Sequence, residues 1–178
     1  MKRKVLAISG STRKDSVNLQ IIKAIADLAI NRFDVEIYND LASLQHFNPD
    51  IDKDGSIPEI VLELRCKIKD ADGVLICTPE YVFSLPGSLK NAIEWTVSTT
   101  VFSDKPVALI TASASGAKAH ESLILIMETV QARCTPKLQL LISGARAKLN
   151  SKGEIIDEIT LLNIKELVSN FAATLVTI

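Results

Sequence analysis

This 178-residue chain is short of aromatic rings, with one Trp, two Tyr and five Phe, and short of cysteine and of any excess charge. Each shortage removes a class of protein. Cys66, Cys77 and Cys134 are odd in number, widely separated and without a CxxC pair, so neither a disulfide framework nor a zinc site is signalled. The expectation is a reducing cytoplasm, with three thiols that serve as small buried hydrophobes, Cys66 and Cys134 within helices. The net charge of −1, with acids and bases interspersed, provides no basic face, so nucleic acid and anionic membranes are not expected as partners. Long apolar runs are missing as well. The run that follows Met-Lys-Arg-Lys stops at Ser9-Gly10, well short of the ~7 to 15 residues of a signal segment, and nothing is expected to span a membrane.

What remains is the composition of a folded domain: 47% hydrophobic and 23% charged residues in a length that suits one core, read as a single domain over 1–178. Short apolar runs at Val5–Ser9, Val35–Tyr38, Gly73–Thr78, Val107–Ala112 and Leu138–Ser143 have the character of strands buried on both faces. Helical spacing lies between them. Leu19, Ile22, Ala26 and Ala29 form one stripe, Ile57, Val61, Leu64 and Ile68 another, and Leu161, Ile164, Val168, Phe171 and Leu175 a third. Strands alternating with helices of this length predict right-handed parallel crossovers and an α/β doubly wound sheet, covered by helices on both sides. The irregular stretch from Asn39 to Ser56 reads as a surface loop.

In such sheets ligands bind beyond the carboxyl ends of the strands. The loop after the first strand, Gly10-Ser-Thr-Arg-Lys-Asp-Ser-Val-Asn18, offers hydroxyls, a guanidinium and an amide just before a helix, a donor set suited to a phosphate. Ser16 or Asn18 acting only as a helix cap is the equally weighted alternative. The loop lacks both GxxxxGK[ST] and GxGxxG, which disfavours a P-loop or a Rossmann-bound dinucleotide. After the third strand, Thr78-Pro-Glu-Tyr-Val-Phe-Ser-Leu-Pro-Gly87 is pinned by a proline at each end, and Pro86-Gly87 suits the first turn of the next helix. That loop can present its backbone, with Tyr81 or Phe83, to a planar heterocycle. Phe83 and Trp95 serving as core or subunit-contact residues is the competing reading, favoured for Trp95. A third loop, Thr111 to His120, has small residues that let a ring approach closely, and His120 is read as a surface or capping residue ahead of a proton donor. Neither HExxH nor GxSxG occurs, so hydrolysis and metal chemistry lack support.

Two of these motifs carry a resemblance. GSTRKDSVN (Gly10 to Asn18) is similar to GSxRxxSxN, and TPEYVFSLPGSLKNAIEW (Thr78 to Trp95) is similar to TPEYNxSxPGxLKNAIDW, both patterns of the NADPH-dependent FMN reductases with their azoreductase, quinone reductase and chromate reductase members. The resemblance implies a flavodoxin-like three-layer sandwich with a five-stranded parallel sheet in order 2-1-3-4-5. It implies FMN bound noncovalently, with NADPH or NADH as co-substrate and hydride passing onward to a quinone, azo or similar small acceptor. By motif match Ser11, Arg13, Ser16, Val17 and Asn18 would hold the phosphate, Pro79, Glu80, Tyr81 and Val82 would border the ring, and Ser113, Ser115 and Gly116 would follow in the third loop. No residue is assigned to catalysis and none to a metal, since the chemistry belongs to the cofactor. A homodimer or tetramer with flavin near the subunit boundary is also implied. The chain departs from the pattern at Val82, where Asn is usual, at Phe83, where a small residue is common, and in the single glycine of the third loop. Two rivals stay open: a flavodoxin-type electron carrier, although carriers are usually strongly acidic, and a flavin-free binding or regulatory relative.

Overall fold

The computed structural model describes residues 2–53 and 55–176. Five strands, β1 (Arg3–Ser9), β2 (Phe33–Tyr38), β3 (Gly73–Thr78), β4 (Val107–Ser113) and β5 (Gln139–Ser143), form one sheet in the order β2-β1-β3-β4-β5. All four pairings are parallel. The helices are α1 (Val17–Leu28), α2 (Glu59–Asp70), α3 (Gly87–Glu94), α4 (Ala117–Thr129) and α5 (Glu158–Val176), which gives the expected α/β sandwich with its order of strands.

The period-two alternation of strand side chains divides the apolar residues between two cores. Leu6, Ile8, Val74 and Ile76 face α2, α3 and α4, where Leu64, Leu89 and Leu123 meet them. Val5, Ala7, Leu75 and Cys77 face α1 and α5, where Ile21, Ile25, Ile164 and Phe171 complete the other layer. Since each central strand is covered twice, its sequence is an unbroken apolar run. α5 is long and apolar enough to cross a membrane by length and composition. Its buried stripe, Ile164, Val168, Phe171 and Leu175, belongs to the α1–α5 core, with Phe171 edge-on to Phe33 at 5.6 Å between ring centroids.

The stretch before α2 is tied down by α3 and by the residues that follow it. Asn91 Oδ1 accepts the Phe47 N–H at 2.7 Å, and Trp95 Nε1 donates to the Gln45 carbonyl at 2.7 Å. Trp95 is therefore a core residue, fully buried and edge-on to Phe47. Arg65 completes the clamp from α2: it donates to the Trp95 carbonyl at 2.6 Å and pairs with the buried carboxylate of Asp52 at 2.7 Å.

Several expectations need correction. Cys66 lies in α2 but is exposed, because it follows the buried Arg65 on the solvent side of the helix; only Cys77 and Cys134 are buried. Cys134 sits in the irregular stretch between α4 and β5, outside any helix. Ile57 precedes α2, whose buried stripe starts at Val61. Phe83 is exposed, which removes the core from the competing reading of that residue and leaves its subunit-contact half open.

Candidate functional site

The carboxyl ends of β1, β3, β4 and β5 converge because the register places Ser9 beside Cys77, Thr78 beside Thr111 and Ser113 beside Ser143. The chain leaves β1 through Gly10, whose N–H donates to the Cys77 carbonyl at 2.8 Å. A Cβ built on Gly10 would fall 2.2 Å from Thr78 Oγ1, so only glycine allows the first loop to lie this close to β3.

That loop is ordered by its own hydroxyls. Ser9 Oγ donates to the Ser11 carbonyl at 3.1 Å, and Ser11 Oγ accepts the Arg13 N–H at 3.4 Å. Ser16 is the N-cap of α1, its Oγ accepting the Leu19 N–H at 3.1 Å. Gln20 donates its N–H to the Ser16 carbonyl, so the first-turn N–H groups left over are those of Val17 and Asn18. The capping alternative for Ser16 is thus realised, and it leaves the anion-binding donors of the helix end in place. Asn18 is buried, with Oδ1 accepting from Cys77 Sγ at 3.3 Å.

Glu80 leaves β3 in another direction. Its Oε1 accepts the Gly116 N–H at 3.2 Å and its Oε2 the Ala119 N–H at 3.0 Å. The hydrogen bond from Ala119, opposed by desolvation and reinforced by those from Gly116 and Lys118, holds this carboxyl below its ordinary range. Gly116, the N-cap residue of α4, has no side chain to cap the helix and sits at φ +91, so the cap comes from Glu80 in the neighbouring loop. This bond draws the second and third loops together. His120 lies within α4 and is half-buried, with Nδ1 3.0 Å from Thr111 Oγ1; desolvation lowers its pKa. It does not cap α4, whose N-cap is Gly116, and it is not part of the cavity wall.

These elements enclose a cavity of about 450 Å3, lined by Ser11, Arg13, Ser16, Val17, Asn18, Pro79, Tyr81 and Ser113 of the expected residues. Glu80, Val82, Ser115 and Gly116 do not line it: Glu80 and Gly116 form the helix cap, and Val82 projects into solvent. The far wall is one the sequence did not announce, Gly144, Ala145, Arg146 and Ala147 after β5, with Ala112 and Ala114 below it. Arg13 and Arg146 both also border an adjoining hollow of about 290 Å3. Arg3 and Arg65 are the arginines held in ion pairs among the described residues, so both cavity guanidinia are available to an anion. A groove of similar size, about 440 Å3, lies at the opposite end of the sheet between β1, β2 and α2, away from this donor set.

The donors fit FMN: two helix N–H groups, hydroxyls and two guanidinia for a phosphate dianion, then an apolar wall of Pro79, Tyr81, Ala112 and Ala145 for a ring. A parallel sheet in this order, with such a site at its carboxyl edge, defines the flavodoxin-like class. The model of the family described as NADPH-dependent FMN reductase matches residues 3–147. The NADH:(hydroxy)cinnamate reductase subunit CrdA of Vibrio ruber is 33% identical, the match covering 93% of this chain and 84% of that protein. The 2-hydroxy-1,4-benzoquinone reductase of a Burkholderia species is 31% identical, with 97% of this chain and 96% of that protein covered. Among solved structures, FerB, a flavoenzyme NAD(P)H:(acceptor) oxidoreductase from Paracoccus denitrificans, superposes with a TM-score of 0.77 at 27% identity, covering 98% of both chains. The chain belongs to the NADPH-dependent FMN reductase family. It is an oxidoreductase of that family, with FMN as cofactor and NAD(P)H as co-substrate.

Proposed function

We propose that the cavity at the carboxyl edge of β1, β3, β4 and β5 is the FMN site and that the enzyme delivers hydride equivalents from NAD(P)H to a quinone or a similar small, ring-bearing acceptor. The observation carrying this reading is the convergence of Ser11, Arg13, Ser16, Val17 and Asn18 with Pro79 and Tyr81 on one cavity, although they come from loops some sixty residues apart in sequence. When bound, FMN supplies the hydride chemistry.

The protein's share is binding and orientation. The Val17 and Asn18 N–H groups and the Ser11 hydroxyl are fixed in place before any ligand arrives, so little ordering is required of them on binding. Arg13 and Arg146 both line the cavity and neutralise the phosphate. Pro79 and Pro86 restrict the second loop at both ends, while Glu80 fastens it to α4, so Tyr81 borders the ring from a rigid support. The alanines at 112, 114, 145 and 147 leave room for the cofactor without adding polar groups.

A homodimer or a tetramer is part of this reading, as the resemblance to the family implies. The cytoplasm is the location proposed, in keeping with three cysteines that are all free. Anaerobic stopped-flow mixing tests the proposal. NADPH should bleach the visible flavin band of the loaded protein, and a quinone added next should restore it. A band that NADPH leaves untouched contradicts the proposal.

A further inference from the structure

The loop after β3 ends in a two-residue hairpin. Tyr81 N–H donates to the Ser84 carbonyl and Ser84 N–H to the Tyr81 carbonyl, each at 3.0 Å. The two residues at its tip, Val82 and Phe83, have φ of 52 and 55. Such primed turns are normally made by Asn-Gly or Asp-Gly, because both central positions need positive φ. For a β-branched residue that region is an outlier, and an aromatic gains nothing from it. The same two side chains are 96% and 73% exposed. The turn thus combines backbone strain with apolar surface left in water, and folding alone recovers neither.

The scaffold keeps the turn rigid even so. Pro79 precedes it, Pro86 follows it, and the Glu80 carboxylate anchors its base to α4. The base is also continuous with the cavity, since Pro79 and Tyr81 line it and Tyr81 is 48% exposed. We infer that Val82 and Phe83 determine acceptor specificity: they form a fixed apolar rim that receives a planar, apolar, ring-bearing electron acceptor at the mouth of the cavity. The inference rests on reading the cavity as the FMN site. Contact with such a ring covers the exposed side chains, which gives the strained turn a role that a solvent-facing Asn-Gly would not fulfil.

The test compares wild type with the double variant Val82→Asn, Phe83→Gly, which suits the turn and removes the apolar rim. FMN uptake is measured first on both proteins. Steady-state kinetics then use menadione as the apolar acceptor and ferricyanide as the small hydrophilic one, with NADPH saturating. Equilibrium dialysis of menadione against the flavin-loaded proteins supplies a reading independent of turnover. The expected result is a KM and a dissociation constant for menadione about tenfold higher in the variant. Ferricyanide turnover and FMN affinity should stay within about twofold of wild type, and Tm should rise as the strain is relieved. An unchanged menadione KM, or equal losses on both acceptors, overturns the inference. A variant that changes oligomeric state while menadione binding is unaltered also overturns it, by making the turn a contact between copies. Failure of the wild type to take up FMN overturns the functional reading and this inference with it.

Discussion

The carboxylate of Glu80, on the loop after β3, accepts the N–H of Ala119 in the first turn of α4 at 3.0 Å, a bond between residues 39 positions apart. Through it one loop of the site supplies the helix cap that the other lacks. Because the hydrogen bond favours the ionised form, the folded-state pKa of Glu80 is depressed. Its contribution to stability is therefore present above the ordinary carboxylate range and is lost as pH falls through the folded value. Glu80→Gln should lower Tm by roughly 2–4 °C at neutral pH, as loss of a helix cap does. Thermal melts from neutral to acid pH check this: the gap between wild type and variant should close on acidification. A gap independent of pH would remove the ionised carboxylate from the account.

Gly10→Ala tests the close approach of β1 and β3. The added Cβ would lie 2.2 Å from Thr78 Oγ1 and 2.7 Å from Thr78 Cβ, and Thr78 is fully buried. Overpacking of this kind costs about 1–3 kcal/mol. Denaturant unfolding should show that loss, and FMN titration should show weaker binding, since the shift moves the Ser11–Asn18 loop. Wild-type stability in this variant would mean the loop is not held against β3 as described.

Much of this architecture was legible in the sequence. Central strands buried on both faces leave unbroken apolar runs, and the turns after β1 and β3 carry their chemistry in nearby residues, so Ser11, Arg13, Ser16, Val17, Asn18, Pro79 and Tyr81 were visible as candidates, and these line the cavity. Arg146 was not. It reaches the cavity only because β5 pairs beside β4, and nothing in the local sequence Gly-Ala-Arg-Ala reports that neighbour. The role of Glu80 was hidden for the same reason, since its partner helix begins far along the chain. The hairpin at Val82 and Phe83 was hidden by propensity itself, which argues against positive φ at both residues. Trp95 was readable as an anchor of the core or an interface, but the Gln45 carbonyl that accepts its N–H comes from the irregular stretch before α2.

The thiols provide a simple check on burial. Cys66 is exposed, whereas Cys77 is buried and its thiol is pushed far up by desolvation. Desolvation, aided by the charge of Glu128, raises Cys134 as well. The thiolate is the reactive form, so both buried groups should resist labelling. Ellman's reagent at mildly alkaline pH should modify one thiol per chain in the native protein and three in denaturant. Two or more reacting quickly in the native state would contradict the packing of β3 and of the segment before β5.

The central claim, that the hydroxyl-lined turn after β1 holds the phosphate of FMN, is tested most directly by equilibrium titration of the protein with FMN, followed by flavin absorbance and fluorescence. Wild type should take up the cofactor at micromolar concentration, and Arg13→Ala should weaken it by about 1.5–3 kcal/mol through loss of a charged hydrogen bond. Riboflavin, which lacks the phosphate, should bind both proteins alike. Equal affinity of wild type and Arg13→Ala for FMN, or no uptake by either, would contradict the account.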